Sequence, residues 1–427
     1  MNHSIQSVSV IGLGYIGLPT AAVLASRKIK VIGVDIDQRA VDTINRGEIH
    51  IVEPELDIVV HAAVSEGWLR ATTRVESADA FMIAVPTPFR GNYEPDLSYV
   101  KAASESIAPV LKKGDVVILE STSPVGTTEQ MVQWLANARP DLTFPSKDRD
   151  DCDVCVAYCP ERVLPGQVIR ELVENDRVIG GINRLSAVKA QDIYRIFVQG
   201  ELLITDARTA EMSKLTENAF RDVNIAFANE LSLICDKLEI DVWDLIKVAN
   251  HHPRVNILQP GPGVGGHCIA VDPWFIVNKT PEQAQLIRTA REVNDGKPEW
   301  VIDKVQAMVK SLAVNGKPAS DIRVACFGLA FKPNIDDLRE SPSVDIALKL
   351  AKMYPGRVMA VEPHIDAVPQ KLADAGVRLI AFDEALERVD VLVMLVDHHA
   401  FKEIKPQLRA DQCLVDTKGV WRSSRND

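Results

Sequence analysis

Residues 7–17 read Ser7-Val-Ser-Val-Ile11-Gly12-Leu-Gly14-Tyr15-Ile16-Gly17, a short apolar run that breaks into three spaced glycines. The apolar run has strand length, and the residues after Gly17 carry helical character to about Ser26. The first glycine permits a tight turn, the second lets backbone approach a pyrophosphate, and the third lets helix and strand pack closely. The helix start then faces the phosphates. A second apolar run, 30–34, ends in Asp35, 18 residues after Gly17. A carboxylate there accepts hydrogen bonds from a ribose 2′-hydroxyl and repels a 2′-phosphate, so the expected cofactor is NAD rather than NADP. A glycine pattern alone signals only a tight turn. The strand, the helix and the acid around it carry the inference.

Outward from this unit, strand candidates follow at 80–85, 116–120, 154–158 and 177–180, most of them separated by helical segments. Such alternation predicts a parallel sheet covered on both faces. The pattern changes after Thr205. Residues 206–239 contain no Gly or Pro and predict one long helix, with helical material continuing to about Trp300. Residues 250–273, NHHPRVNILQPGPGVGGHCIAVDP, read as irregular loop. After the linker LAVNGKPAS, alternation returns from Asp321 and predicts a second, smaller parallel sheet. The fold class is therefore α/β: two Rossmann-like doubly wound parallel-sheet domains joined by a long central helix and a helical middle domain. The expected boundaries are 1–205, 206–315 and 316–427.

Composition narrows the function. The 427 residues include 46% hydrophobic and 25% charged positions, the profile of an ordinary globular protein. A chain of this length buries roughly 75% of its unfolded surface and needs no disulfide or metal staple. The formal charge of −11 argues against a general nucleic-acid binder, which carries a basic face. No run approaches the ~20 apolar residues of a membrane span. No secretory signal is visible at the N-terminus, and the odd, scattered set of seven cysteines favours a reducing cytoplasm.

Several polar groups invite chemical readings. Cys268 lies in Gly265-Gly266-His267-Cys268, ahead of Asp272-Pro273. Flanking glycines admit a carbonyl and offer backbone N–H groups to an oxyanion, so the thiol is a candidate nucleophile. A small buried hydrophobe is the competing account. Cys152, Cys155 and Cys159 suggest metal ligation, but they fall on or beside a buried-strand pattern with no fourth ligand spaced nearby, so no metal is expected. The pairs His251-His252 and His398-His399 read as polar loop residues. Lys214, Asn218 and Arg221 share one helix face. A solvated face accounts for them when the segment is taken alone, and a cleft that holds an oxyanion is the alternative.

Six motifs together resemble the UDP-glucose/GDP-mannose dehydrogenase superfamily, the nucleotide-sugar 6-dehydrogenases, over residues 8–421. They are GLGYIGLP, STSPVG at 121–126, CPERVLPG at 159–166, AEMSKLTENAFRD at 210–222, PGVGGHCIAVDP at 262–273 and GLAFKPNIDDLRESP at 328–342. The resemblance implies that Cys268 is the nucleophile and that Lys214 and Asn218 stabilise the oxygen at C6. Thr122, Glu161 and Asp272 would support proton and water chemistry. Tyr15, Ile16, Asp35, Thr87, Thr128 and Arg339 would contact NAD, beside Gly12, Gly14 and Gly17. Arg162, Val163, Lys214, Asn218, Arg221, His252, Arg254, Gly265, Phe331 and Lys332 would hold the nucleotide sugar. The family's substrate site is partly completed by a second subunit, with Arg254 as the crossing residue.

Two departures from the UDP-glucose branch match its N-acetylhexosamine branch. Pro165 stands where that branch has a second glutamate, and His267 stands where it has serine. They leave the base for thioester hydrolysis open. The implied reaction is a four-electron oxidation of UDP-N-acetyl-D-mannosamine at C6 with two NAD per sugar, feeding surface polysaccharide such as enterobacterial common antigen. UDP-N-acetylglucosamine and UDP-glucose are the alternative substrates. Two other functions compete: a hydroxy-acid dehydrogenase giving one NADH, and a non-enzymatic nucleotide-sugar sensor. The apolar residues Phe220, Val223, Phe227, Leu231 and Ile234 on the long helix predict an isologous dimer. Burial of that helix between the outer domains is the rival account. No membrane or nucleic-acid partner is expected.

Overall fold

The computed structural model describes residues 5–422, apart from Asn92, Asp150, Leu164, Pro165, His267 and Lys405. The sequence expectations at Pro165 and His267 therefore lie outside the described residues. The chain divides into two compact units, residues 1–217 and 218–427.

Unit 1 is built on β1 (Ser7–Ile11), β2 (Lys30–Val34), β3 (Leu69–Thr72), β4 (Ala80–Ile83), a small hairpin of β5 (Phe89–Arg90) and β6 (Glu94–Pro95), β7 (Val116–Leu119), β8 (Cys155–Tyr158), β9 (Arg177–Gly181) and β10 (Leu202–Asp206). Eight of these form one sheet in the order β10-β9-β8-β7-β4-β1-β2-β3. The order reverses at β1, where a doubly wound sheet opens its ligand crevice. Alternate residues of the central strands feed different cores. Val8, Val10, Val116 and Ile118 join one cluster, and Phe81, Ile83, Val117 and Leu119 join the other. Both faces are thus covered, as a parallel sheet requires.

One pair in this sheet departs from the expected parallel pattern. β8 and β9 pair antiparallel, through Ala157 with Gly181 and Tyr158 with Gly180. The segment between them carries the helix Val168–Glu174, and the chain re-enters the sheet in the opposite direction. β3 and β10 escaped the sequence reading. β3 is only four residues long, with Leu69 and Ala71 buried, and β10 is an edge strand whose Leu203 and Ile204 are exposed, so neither makes a buried apolar run.

Unit 2 holds β11 (Val324–Phe327), β12 (Val358–Val361), β13 (Arg378–Leu379), β14 (Val391–Met394) and β15 (Cys413–Asp416), all parallel, in the order β13-β12-β11-β14-β15. The helix Ala207–Lys237 crosses the boundary between the units, as the Gly- and Pro-free stretch predicts. The next long helix, Gln285–Val314, runs on through Pro298 and takes in the first part of the expected linker. A proline removes one helical hydrogen bond. Here Asn294, Lys297, Val301, Ile302 and Val305 are buried around it, and that packing holds the helix together. Among the described residues no helix is long and apolar enough to cross a membrane.

Candidate active site

The glycine turn after β1 has the geometry its sequence predicts. Gly12 has φ +92°, and its N–H donates to Val34 O at 2.8 Å. A Cβ on Gly17 would lie 1.8 Å from Gly12 O, and one on Gly12 would lie 2.6 Å from Ala84 O. Neither position accepts a side chain. A Cβ on Gly14 would meet nothing within 4 Å, so the turn opens toward solvent there, beside exposed Tyr15 and half-buried Ile16. The helix Gly17–Ser26 has no side-chain cap and no acid in its first turn. Its N–H groups and positive end are left for an anion, which is the fit a dinucleotide pyrophosphate requires.

Asp35 is tied into the same turn. Its Oδ2 accepts from Leu13 N at 2.8 Å and its Oδ1 from Asp37 N at 2.9 Å. A carboxylate offers about four acceptor positions, so sites remain for ribose hydroxyls. Asp35→Ala is expected to raise the KM for NAD by about 10- to 100-fold, the loss of a charged hydrogen bond, and to narrow the preference over NADP. Steady-state rates with both dinucleotides check this. Comparable turnover with NADP in the unaltered protein contradicts the ribose assignment.

Thr128 is tied to the long helix. It is buried, and both its N–H (2.8 Å) and its hydroxyl (2.6 Å) donate to Glu211 Oε1, while Gly126 N donates to Glu211 Oε2 at 2.6 Å. The helix Thr127–Ala138 therefore has its N-terminus filled by an internal carboxylate. Glu211 lies inside a quoted motif, but its partners are more than 80 residues away, so no local pattern signals this role. Thr87 donates to Thr122 O at 2.6 Å, which joins two candidate residues in unit 1.

Glu161 is buried and receives Arg177 Nη1 at 2.7 Å on Oε2 and Arg162 N at 2.6 Å on Oε1. Arg162 turns its guanidinium to Glu217, with Nη2 2.9 Å from Oε1. Val163 is half-buried against the unit 1 core. Lys214 is half-buried on the long helix. Cys155 and Cys159 are buried, and burial pushes each thiol up to about 12.

In unit 2 the thiol loop is fixed at both ends. Before it, Gly261 N donates to Asn229 Oδ1 at 2.9 Å. After it, Asn218 Nδ2 donates to Asp272 Oδ2 at 2.5 Å, and Asp272 N donates to Cys268 O at 2.8 Å. Between these anchors the glycines admit close packing. A Cβ on Gly265 would lie 2.4 Å from Glu340 O and 2.9 Å from Phe331 Cβ, and one on Gly266 would lie 3.0 Å from the Phe331 ring. Cys268 itself is exposed, unlike the packing cysteines, and so has the access a nucleophile needs. Arg221, His252, Arg254 and Lys332 are also exposed. Arg339 is paired with Asp337, Nη2 to Oδ2 at 2.6 Å.

His398 corrects the reading of its pair as polar loop residues. It is fully buried, with Nε2 3.1 Å from Glu362 Oε2, while Nδ1 accepts from Asn334 N at 2.9 Å. Glu362, His364 and His398 bring their ligand atoms within 4.8 Å of one another. An Nδ1 that accepts a backbone N–H leaves the proton on Nε2, directed at Glu362, so the group is arranged as a hydrogen-bond chain. Glu362 Oε2 also accepts from Leu329 N at 2.7 Å. Gly328 N donates to Val361 O at 2.8 Å, which repeats the Gly12 turn with its acid sealed from solvent.

Comparison with known proteins agrees with these two turns and the loop between them. Residues 6–198, 208–296 and 325–423 match, in order, the NAD binding, central and UDP binding domains of the UDP-glucose/GDP-mannose dehydrogenase family. A UDP-N-acetyl-D-mannosamine dehydrogenase of Escherichia coli is 64% identical over 420 residues, 98% of this chain and 100% of that one. An NDP-N-acetyl-D-galactosaminuronic acid dehydrogenase of Ralstonia nicotianae is 60% identical, covering 98% and 97%. The solved UDP-D-ManNAc dehydrogenase of Pyrococcus horikoshii superposes with a TM-score of 0.86 at 37% identity, covering 98% and 96%. With an NAD turn in unit 1 and domain matches along nearly its whole length, the chain belongs to the UDP-glucose/GDP-mannose dehydrogenase family.

Proposed function

We propose that the protein oxidises the C6 alcohol of UDP-N-acetyl-D-mannosamine to the carboxylate. The observation that carries this reading is the loop 261–272, which exposes Cys268 and anchors Asn218 to Asp272 beside it. The identity of 64% to a UDP-N-acetyl-D-mannosamine dehydrogenase supports the choice of sugar. The 60% match to an N-acetylgalactosaminuronic acid enzyme makes the epimer the first thing to test. A panel of UDP-sugars with NAD does so: the mannosamine substrate is expected to give the highest kcat/KM, and a preference for another sugar overturns that choice.

Bound NAD supplies a hydride acceptor, and two are consumed per sugar. Lys214 and the second N–H of Asn218 hold the C6 oxygen. With C6 at the aldehyde level, the Cys268 thiolate adds to it, and the new S–C bond retains the intermediate as a thiohemiacetal. A second oxidation at C6 leaves a thioester. Water then adds to the thioester carbon while Glu161 or Asp272 takes its proton, the S–C bond breaks, and the thiolate is regenerated with the acid. One water, one alcohol and two NAD thus give one carboxylate, two NADH and three protons. Thr122 belongs to the same proton chemistry. Tyr15, Ile16, Thr87 and Arg339 contact NAD, and Arg162, Val163, Arg221, His252, Arg254, Gly265, Phe331 and Lys332 hold the nucleotide sugar. On this reading residues 1–205, 206–315 and 316–427 are the NAD-binding, central and UDP-binding parts, and the reaction is cytoplasmic, feeding surface-polysaccharide assembly.

The same reading includes a homodimer. Phe220, Phe227 and Ile234 recur at seven-residue intervals on the long helix and are 71%, 52% and 46% exposed. An apolar stripe of this kind suits an isologous contact. Light scattering is expected to give twice the chain mass, and a monomer at working concentration removes the dimer.

A further inference from the structure

Unit 1 buries a second carboxylate beside Glu161 that the proposed chemistry does not use. Glu120 follows β7 and is 2% exposed. Its Oε1 accepts the Tyr194 hydroxyl at 2.7 Å, and its Oε2 is buried without a partner among the described residues. Arg177, at the start of β9, is 1% exposed. It gives Nη1 to Glu161 Oε2 at 2.7 Å and Nη2 to Leu172 O at 3.3 Å. Its Nε is buried and likewise unpartnered among the described residues, and its guanidinium carbon stands 5.9 Å from the Tyr194 ring centroid. The groups that face Glu120 are therefore Tyr194 from the helix Arg184–Tyr194, Cys159 and Glu161 from the segment after β8, and Arg177 from β9.

This cluster holds two carboxylates and one guanidinium in a buried site. If both acids ionise, one negative charge has no cation of its own. Burial first, and the neighbouring Glu161 charge second, push Glu120 up to about 7. Its proton therefore comes and goes near neutrality, while Arg177 keeps its own. We propose that Glu120 is a positioning residue that sets, through Arg177, how readily Glu161 accepts a proton from the attacking water. With Glu120 protonated, the guanidinium charge acts on Glu161 alone. With Glu120 ionised, that charge is shared between two anions, which favours transfer of the water's proton into the cluster. The inference rests on Glu161 as the proton acceptor in the reading above.

The test is the pH dependence of thioester hydrolysis, followed as release of labelled sugar from the enzyme in single turnovers between pH 6 and 8. Across that range the ionised fraction of Glu120 rises from about a tenth to about nine-tenths. The unaltered enzyme should release sugar several-fold faster at the upper end. Glu120→Gln keeps the shape, cannot ionise, and should flatten the profile while leaving the KM for NAD unchanged. Tyr194→Phe removes a hydrogen bond to the ionised form, so it should move the rising limb to higher pH. A limb that stays in place in both variants overturns the proposal; should Glu120→Gln fail to fold, an unmoved limb in Tyr194→Phe overturns it alone. Glu161→Gln separates the two layers. If hydrolysis survives that change, the role of Glu161 falls and this inference with it. If hydrolysis collapses in Glu161→Gln but keeps its limb in Glu120→Gln, only the inference falls.

Discussion

Cys268→Ser is expected to lower acid formation by roughly 10³-fold or more, because an alcohol is far less ionised than a thiol near neutral pH and adds poorly to the aldehyde. NAD binding should survive, since the glycine turn and Asp35 are tied to one another within unit 1 and the thiol lies in a different part of the chain. The first oxidation does not need an S–C bond, so aldehyde should be released or retained at C6. Any covalent product would be an ester and should hydrolyse slowly. If Cys268 were only a packing residue, Ser would cost little, being nearly the same size. The exposure of Cys268 already weakens that account, because the packing cysteines at 155, 159, 235 and 326 are buried. A melting curve of the mutant separates lost chemistry from lost fold.

Arg291→Met should produce the largest loss of stability. Arg291 and Asp222 pair at 2.7 Å with side chains 2% and 0% exposed, and Asn294 also donates to Asp222 at 2.8 Å. Removing the guanidinium strands a buried carboxylate and should cost about 3–5 kcal/mol, a fall in Tm on the order of 10 °C. The pH dependence has a definite sign. Burial pushes the Asp222 carboxyl up against the opposing pull of Arg291, and without Arg291 it should rise further. A carboxyl whose folded-state pKa stands above its unfolded value costs stability as pH rises through that range, and the cost disappears below it. The difference in Tm between mutant and parent should therefore shrink on acidification. A difference that grows instead would show that Asp222 is not the stranded charge.

What the sequence made legible was short in range. The Gly12 turn, the acid at the end of the second strand, the long Gly- and Pro-free helix and the irregular thiol loop each depend on neighbours within about 30 residues, and the structure places them as read. The antiparallel pairing of β8 and β9 depends on how a whole segment returns across the sheet. Glu120 and Tyr194 are 74 residues apart, Gly126 and Glu211 are 85 apart, and Glu362 and His398 are 36 apart. No periodicity links such partners, so a buried acid in a strand ending looked like any other polar residue. His398 shows the cost most clearly: beside His399 it resembles a loop pair, and only its contacts with Glu362 and Asn334 reveal it as the group that seals the counterpart of the Asp35 turn.

The double oxidation through Cys268 is tested most directly by the yield of NADH per sugar. With UDP-N-acetyl-D-mannosamine limiting and NAD saturating, the unaltered enzyme should produce two NADH for each sugar consumed and leave the uronic acid as the only sugar product. One NADH per sugar, with aldehyde accumulating, would contradict it.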